Sequence, residues 1–185
     1  MKPLFTIHGG EFLFGNEVEK RFPNLSIWIP SKDSGIDFLL TNQEVTKSLT
    51  IQVKYSRDFN WSHGNDVIQS YVKTTAWYNL KREKIVDSKA DYWVFVNYDG
   101  LTHSADYIFV KPKELISIFD KFKTNSSNIV MYLAVFKSNK CYETRGLKKS
   151  ELKGLLEGKL DNTIRDFSPF LENWEILNKH FITTV

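Results

Sequence analysis

Four side chains in the first third of the chain are of types that could do chemistry. Glu11 opens a helical segment, Asp37 sits inside Ile36-Asp37-Phe38-Leu39-Leu40, and Gln52 and Lys54 alternate with Ile51, Val53 and Tyr55. Two carboxylates are hard oxygen ligands suited to Mg²⁺ or Mn²⁺, and the Gln52 amide can add a neutral carbonyl oxygen. The Lys54 ammonium can favour ionisation of an attacking water or stabilise a crowded phosphate. Together they suit metal-assisted hydrolysis of a phosphodiester. No rival motif competes, because GxxxxGK[ST], G-x-S-x-G, HExxH and a GxGxxG following a strand are all missing.

Each of these residues also has a plainer reading. At roughly 100° per residue, Glu11 falls about 20° from Val18 and Phe22, on the apolar stripe of its helix. A first-turn Glu also complements the helix dipole. Asp37 is unusual within a strand, where an unpaired buried carboxylate is costly, but an Asp after Gly35 can bond turn amides instead. Gln52 and Lys54 share one strand face. That face is ordinary if solvated and functional if it lines a cleft. The four become informative as a set that can converge at one end of a hairpin.

The elements that must position them follow from periodicity. Phe14, Val18 and Phe22 recur four apart and predict a helix over Glu11 to Phe22, closed by Pro23-Asn24. Strands are predicted at Ser26 to Ile29, Gly35 to Leu40 and Leu49 to Tyr55. Arg57 to Asn65 reads as a loop, and Asp66 to about Lys84 as a long helix with Asp66 as N-cap. Tyr92 to Val96 is a continuous apolar run, predicted as a strand buried on both faces. Tyr107 to Val110 is a further strand, and Pro112 starts a helix through Phe122. Ile129 to Phe136 is another buried strand, Lys148 to Leu156 a basic helix, and Ser168-Pro169 opens a last helix. The expected class is α/β, a mixed central sheet flanked by helices in the order α-β-β-β-α-β, then β-α-β and terminal helices.

Composition bounds the rest. The chain has 185 residues, with 25 Lys+Arg against 22 Asp+Glu, a net +3. That length predicts a single domain over residues 1–185, with a core from about 9 to 136 and a basic helical elaboration from about 137 to 185. The longest uninterrupted apolar run, Ile129 to Phe136, cannot span a membrane, and no signal-peptide pattern is visible. Cys141 is the single cysteine, which excludes an internal disulfide and makes a reducing, cytoplasmic setting the expectation.

At Gly10-Glu11, Gly35-Ile36-Asp37 and Gln52-Val53-Lys54 the sequence resembles the PD-(D/E)XK nuclease superfamily, which has the restriction-endonuclease-like fold. The αβββαβ order resembles that family's core, and the likeness covers roughly Gly9 to Val96. The resemblance implies Asp37 as the central metal ligand, Glu11 as a second carboxylate, the Val53 carbonyl as a further ligand and Lys54 as the catalytic lysine. Ile36 replaces the eponymous Pro. Gln52 stands where the family most often has an acid, a Q-x-K variant that leaves Glu11 to carry more of the metal affinity. The implied activity is Mg²⁺- or Mn²⁺-dependent hydrolysis of DNA in restriction, defence or repair, with a homodimer as one way for a small domain to cut both strands.

Further residues are candidates for nucleic-acid contact. In similar nucleases the helix after the third strand flanks the site, and Gln69 and Lys73 would share one face of it. Trp61 and His63 lie in the preceding polar loop and could meet a base. Seven basic residues from Lys137 to Lys159, Lys148 and Lys149 among them, face Glu143, Glu151 and Glu157, a local +4 that could hold phosphates. An exposed helix face and a solvated charge run are the plainer readings. Gln52 motivates an alternative for the whole chain: a nuclease-fold module that lost its chemistry and binds nucleic acid or a protein partner. A structural domain in which Asp37 and Lys54 form a plain salt bridge is the third reading.

Overall fold

The computed structural model describes residues 7–31, 34–57, 70–122, 126–159 and 164–182. Helix α1 spans Gly9–Arg21, and strands β1 (Leu25–Trp28), β2 (Phe38–Asn42) and β3 (Ser48–Arg57) follow as an antiparallel meander. Strand β4 is Val72–Lys81 and helix α2 is Arg82–Val86. Strand β5 (Tyr92–Asp99) lies parallel to β3, and β6 (Ser104–Val110) returns antiparallel beside it. Helix α3 is Pro112–Lys121, strands β7 and β8 are Asn128–Phe136 and Cys141–Glu143, and helices α4 and α5 are Lys149–Leu156 and Glu175–Phe181. The class is α/β. One sheet is mixed, ordered β1-β2-β3-β5-β6, and a second is antiparallel, ordered β4-β7-β8.

The period-two pattern of the buried strands explains how two cores form around the mixed sheet. Trp93 and Phe95 of β5 and Ile108 and Val110 of β6 face the second sheet and α3, where they join Tyr78, Leu80, Met131 and Leu133. Val94, Val96, Tyr107 and Phe109 face the opposite way, onto Phe14 and Val18 of α1. The run Tyr92 to Val96 is apolar throughout because each of its faces meets a different core. Phe14 is fully buried, stacked on Trp174 at 5.9 Å and edge-on to Phe109 at 6.1 Å. Burying such a side chain stabilises the fold by about 1.5–3 kcal/mol.

One predicted element is overturned. Residues 72–81, read as part of a helix from Asp66 to Lys84, form strand β4, paired with β7 along nearly its whole length. Thr74, Ala76, Tyr78 and Leu80 are buried while Lys73, Trp77, Asn79 and Lys81 are exposed, an alternation that fits the β-branched and aromatic residues present. Among the described residues from 70 to 90, the helix is α2, Arg82–Val86. Lys73 therefore has no helix face to share with Gln69, which itself lies outside the described residues, as do Trp61, His63 and Asp66. Lys73 sits instead at a β-bulge between Val72 and Thr74, and its ammonium pairs with Asp106. Bulges re-aim side chains in this way.

The last third is woven into the fold. β8 adds a strand to the second sheet, Phe167 is fully buried in the first core, and Trp174 and Leu177 complete the second. Ser168-Pro169 opens a single 3₁₀ turn with Phe167 as its N-cap, and the final helix begins later, at Glu175. Among the described residues no helix is long and apolar enough to cross a membrane.

Candidate active site

Strand β3 is longer than its neighbour β2, and the mismatch makes the site. Pairing begins at Phe38↔Ile51, just after the Asp37 N–H donates to the Ile51 carbonyl at 2.8 Å. β2 does not continue alongside Gln52 to Arg57, although β5 covers the other edge of β3 throughout. The Asp37 side chain takes over where the ladder stops, and its Oδ2 accepts the Val53 N–H at 2.6 Å. A strand residue directs its N–H and C=O to the same edge, so the Val53 carbonyl also faces this opening. The Gln52 amide nitrogen donates to Asp37 Oδ2 and, at 3.4 Å, to the Val53 carbonyl.

A cleft of about 950 Å³ occupies the opening, and Glu11, Asp37, Gln52, Val53 and Lys54 all line it. The structure thus brings together every residue expected at the catalytic and metal positions. Gln52 is buried, and Lys54 is half-buried with its Nζ 5.0 Å above the Trp93 ring. That contact places the ammonium over the negative face of an indole. Gly35, in the left-handed region at φ +76°, turns the chain into Asp37, and a Cβ added there would lie 3.9 Å from the Gln52 amide oxygen.

Helix α1 delivers Glu11 by a close approach of backbone to side chain. A Cβ on Gly10 would lie 3.0 Å from Tyr55 Cγ, and nearer still to Tyr55 Cβ, so a side chain there has no room. Glu11 Oε2 accepts the His8 N–H at 3.1 Å, which caps the helix start. Glu11 is therefore a first-turn capping residue that also lines the cleft. Its pKa lies above the ordinary 4.5, first because burial disfavours the charge and then because Asp37 adds repulsion. The His8 N–H, the His8 ring and Lys54 pull the other way.

The donor set fits a hard divalent cation. Two carboxylates, one amide and one backbone carbonyl face a single cleft, and Asp37 bears on Glu11 through an electrostatic repulsion that a cation would relieve. Among the described residues no three His, Cys, Asp or Glu side chains gather as a metal cluster, so binding here would depend on the amide and carbonyl as well.

Several lining residues carried no signal in the sequence reading. His8, Tyr55, Lys84, Lys89 and Trp93 all border the cleft. Trp93 reaches it through the register Gln52↔Trp93, a pairing across 41 positions that no local spacing reveals. His8 stands beside Gly9-Gly10, and its place immediately before a helix start was the available clue. Within the basic stretch Lys159 and Lys153 pair with Glu157, and its acid Glu143 is buried against Arg165. Lys148 and Lys149 stand exposed at the start of α4, away from the cleft lining. Comparison with protein-family models, curated proteins and solved structures found no match to this chain.

Proposed function

We propose that this chain is a Mg²⁺- or Mn²⁺-dependent nuclease that hydrolyses DNA phosphodiester bonds, built on a PD-(D/E)XK-type core in its Q-x-K form. The observation that carries the reading is the convergence of Glu11, Asp37, Gln52, Val53 and Lys54 on one cleft from three separate elements. The meander β1-β2-β3 followed by a crossover to parallel β5 supports a restriction-endonuclease-like core. Restriction, defence and repair are the settings such an activity serves.

In this reading Glu11, Asp37 and the Val53 carbonyl would hold the cation, and Gln52 would contribute its amide oxygen. The bound cation supplies Lewis-acid activation of water and neutralisation of phosphate charge. Lys54 presents its ammonium to the phosphate oxygens as negative charge grows on them. Trp93 keeps that ammonium in place, and Lys84 and Lys89, which also line the cleft, attract the DNA backbone.

The test is cleavage of plasmid and linear DNA in Mg²⁺ or Mn²⁺. Asp37→Asn should cut no faster than buffer, and Lys54→Ala should be slower by on the order of 10²–10³-fold. If both variants cut like the parent, the reading is wrong. A specific observation favours the second reading, a binding module without chemistry: Asp37 Oδ2 is already engaged by the Gln52 amide and the Val53 N–H. Calorimetry separates the two, since DNA binding without any heat of Mn²⁺ binding belongs to the module.

A further inference from the structure

Beside the cleft the protein displays a row of aromatic rings that the hydrolytic machinery does not use. Tyr55 lines the cleft and is 40% exposed. Its ring lies 6.1 Å from that of Tyr98 on β5, which lies 6.5 Å from His103. The Tyr98 hydroxyl is hydrogen-bonded to His103 Nδ1 at 2.9 Å. Tyr55 and Tyr98 therefore share one sheet face at the carboxyl ends of β3 and β5, and His103 extends the row from the turn that follows β5.

The row is held in place deliberately. His103 sits in the left-handed region at φ 55°, a conformation that costs a non-glycine residue energy. Asp99 fixes the turn that imposes it, accepting the Leu101 N–H at 2.8 Å and the Thr102 hydroxyl at 2.7 Å. The carboxylate is thereby occupied by the turn. Arg57, the register neighbour of Tyr98 and on the Tyr55 face of β3, is exposed and adds a cation.

We infer that Tyr55, Tyr98 and His103 form a stacking platform for unpaired nucleobases, with Arg57 on the phosphates, so that the preferred ligand is a single strand. The inference rests on the nuclease reading only for its direction, since the row leads into the candidate site. Paired bases keep their faces inside the duplex and offer nothing to such a row, whereas an unpaired base has a free π-face. Stacking also tolerates sequence, so the platform would select strand state rather than bases.

Binding of labelled oligothymidylate and of a labelled duplex of equal length, followed by anisotropy in EDTA, tests this without cutting. The single strand should bind more tightly than the duplex. Tyr98→Leu and His103→Ala should each weaken single-strand binding about fivefold or more, while leaving duplex binding and thermal melting unchanged. Tyr98→Phe keeps the ring and should bind as the parent does. Equal or tighter duplex binding, unaltered single-strand binding in Tyr98→Leu and His103→Ala, or a parallel loss on both ligands overturns the platform. The nuclease reading fails separately, through Mn²⁺ cleavage that survives in Asp37→Asn and Lys54→Ala or is absent from the parent.

Discussion

Two groups of polar side chains interrupt the apolar interior, and their surroundings use them differently. Between the two sheets, Asp106 is 1% exposed and receives the Lys73 ammonium and the Thr74 hydroxyl. Asn97 beside it accepts the Tyr78 hydroxyl at 2.8 Å and donates to the Leu133 carbonyl. Glu143 is held by Arg165 and by the N–H groups of Tyr132 and Arg145. These groups are closed on themselves and fasten the second sheet in place. At the open edge of β3, by contrast, Glu11, Asp37, Gln52 and Lys54 border a cleft of about 950 Å³. A buried ionisable residue is therefore no sign of chemistry by itself. The difference lies in whether the group completes a packed network or faces a space that another molecule can enter.

Exchanging the roles breaks the comparison most sharply. Asp37→Asn should remove DNA cleavage while leaving urea denaturation within about 1 kcal/mol of the parent, because the amide can still accept the Val53 N–H. Glu143→Ala should do the reverse and lower stability by about 3–5 kcal/mol, since it leaves a mostly buried guanidinium without its counter-charge and two amide donors unpaired. At a temperature where the variant stays folded, its cutting rate should match the parent's. Loss of cleavage in folded Glu143→Ala, or unfolding in Asp37→Asn, would erase the distinction.

A smaller effect links the two regions through α1. Gly10→Ala forces the helix start away from Tyr55, an overpacking that should cost about 1–3 kcal/mol. The same displacement moves Glu11 from the cleft, so Mn²⁺ affinity by calorimetry should fall along with the melting temperature. Gly15, whose added Cβ would meet Phe38 only at an ordinary 3.5 Å, is the control. Gly15→Ala should leave metal affinity unaltered.

Legibility in the sequence followed the range of the forces involved. The alternation of β3, the continuous apolar run of β5 and Pro112 at the start of α3 are local signals, and those elements form where expected. The strand at Val72–Lys81 is decided by pairing with β7, from Lys81↔Asn128 to Val72↔Phe136, which overrides a helix-like spacing. At the site, residue type together with placement on successive predicted elements singled out Glu11, Asp37, Gln52 and Lys54. Asp106 is equally misplaced in β6 and drew no notice, and its partner Lys73 read as a nucleic-acid contact on a helix face. Only the bulge in β4 joins them.

The finest discrimination comes from pH, because burial raises the pKa of both Glu11 and Glu143 but their partners differ. For Glu11 desolvation comes first, Asp37 adds repulsion, and His8 and Lys54 oppose it. For Glu143 desolvation also comes first and the Arg165 guanidinium opposes it. A carboxyl whose folded pKa is raised contributes stability that is full below its unfolded value near 4.5 and is lost as pH rises through the folded value. Both glutamates should therefore cost the metal-free protein some stability in that window. At Glu11 a bound divalent cation favours the ionised form, so Mn²⁺ affinity should climb with pH through the same window and the thermal shift with Mn²⁺ should grow. Glu11→Gln keeps an oxygen for the His8 N–H and should flatten both curves. Glu143 already faces its cation, so Glu143→Gln should alter the stability profile and leave the pH dependence of Mn²⁺ affinity as it was. Calorimetric titrations across that pH range read the contrast directly, and identical Mn²⁺ profiles for Glu11→Gln and the parent would remove Glu11 from the ligand set.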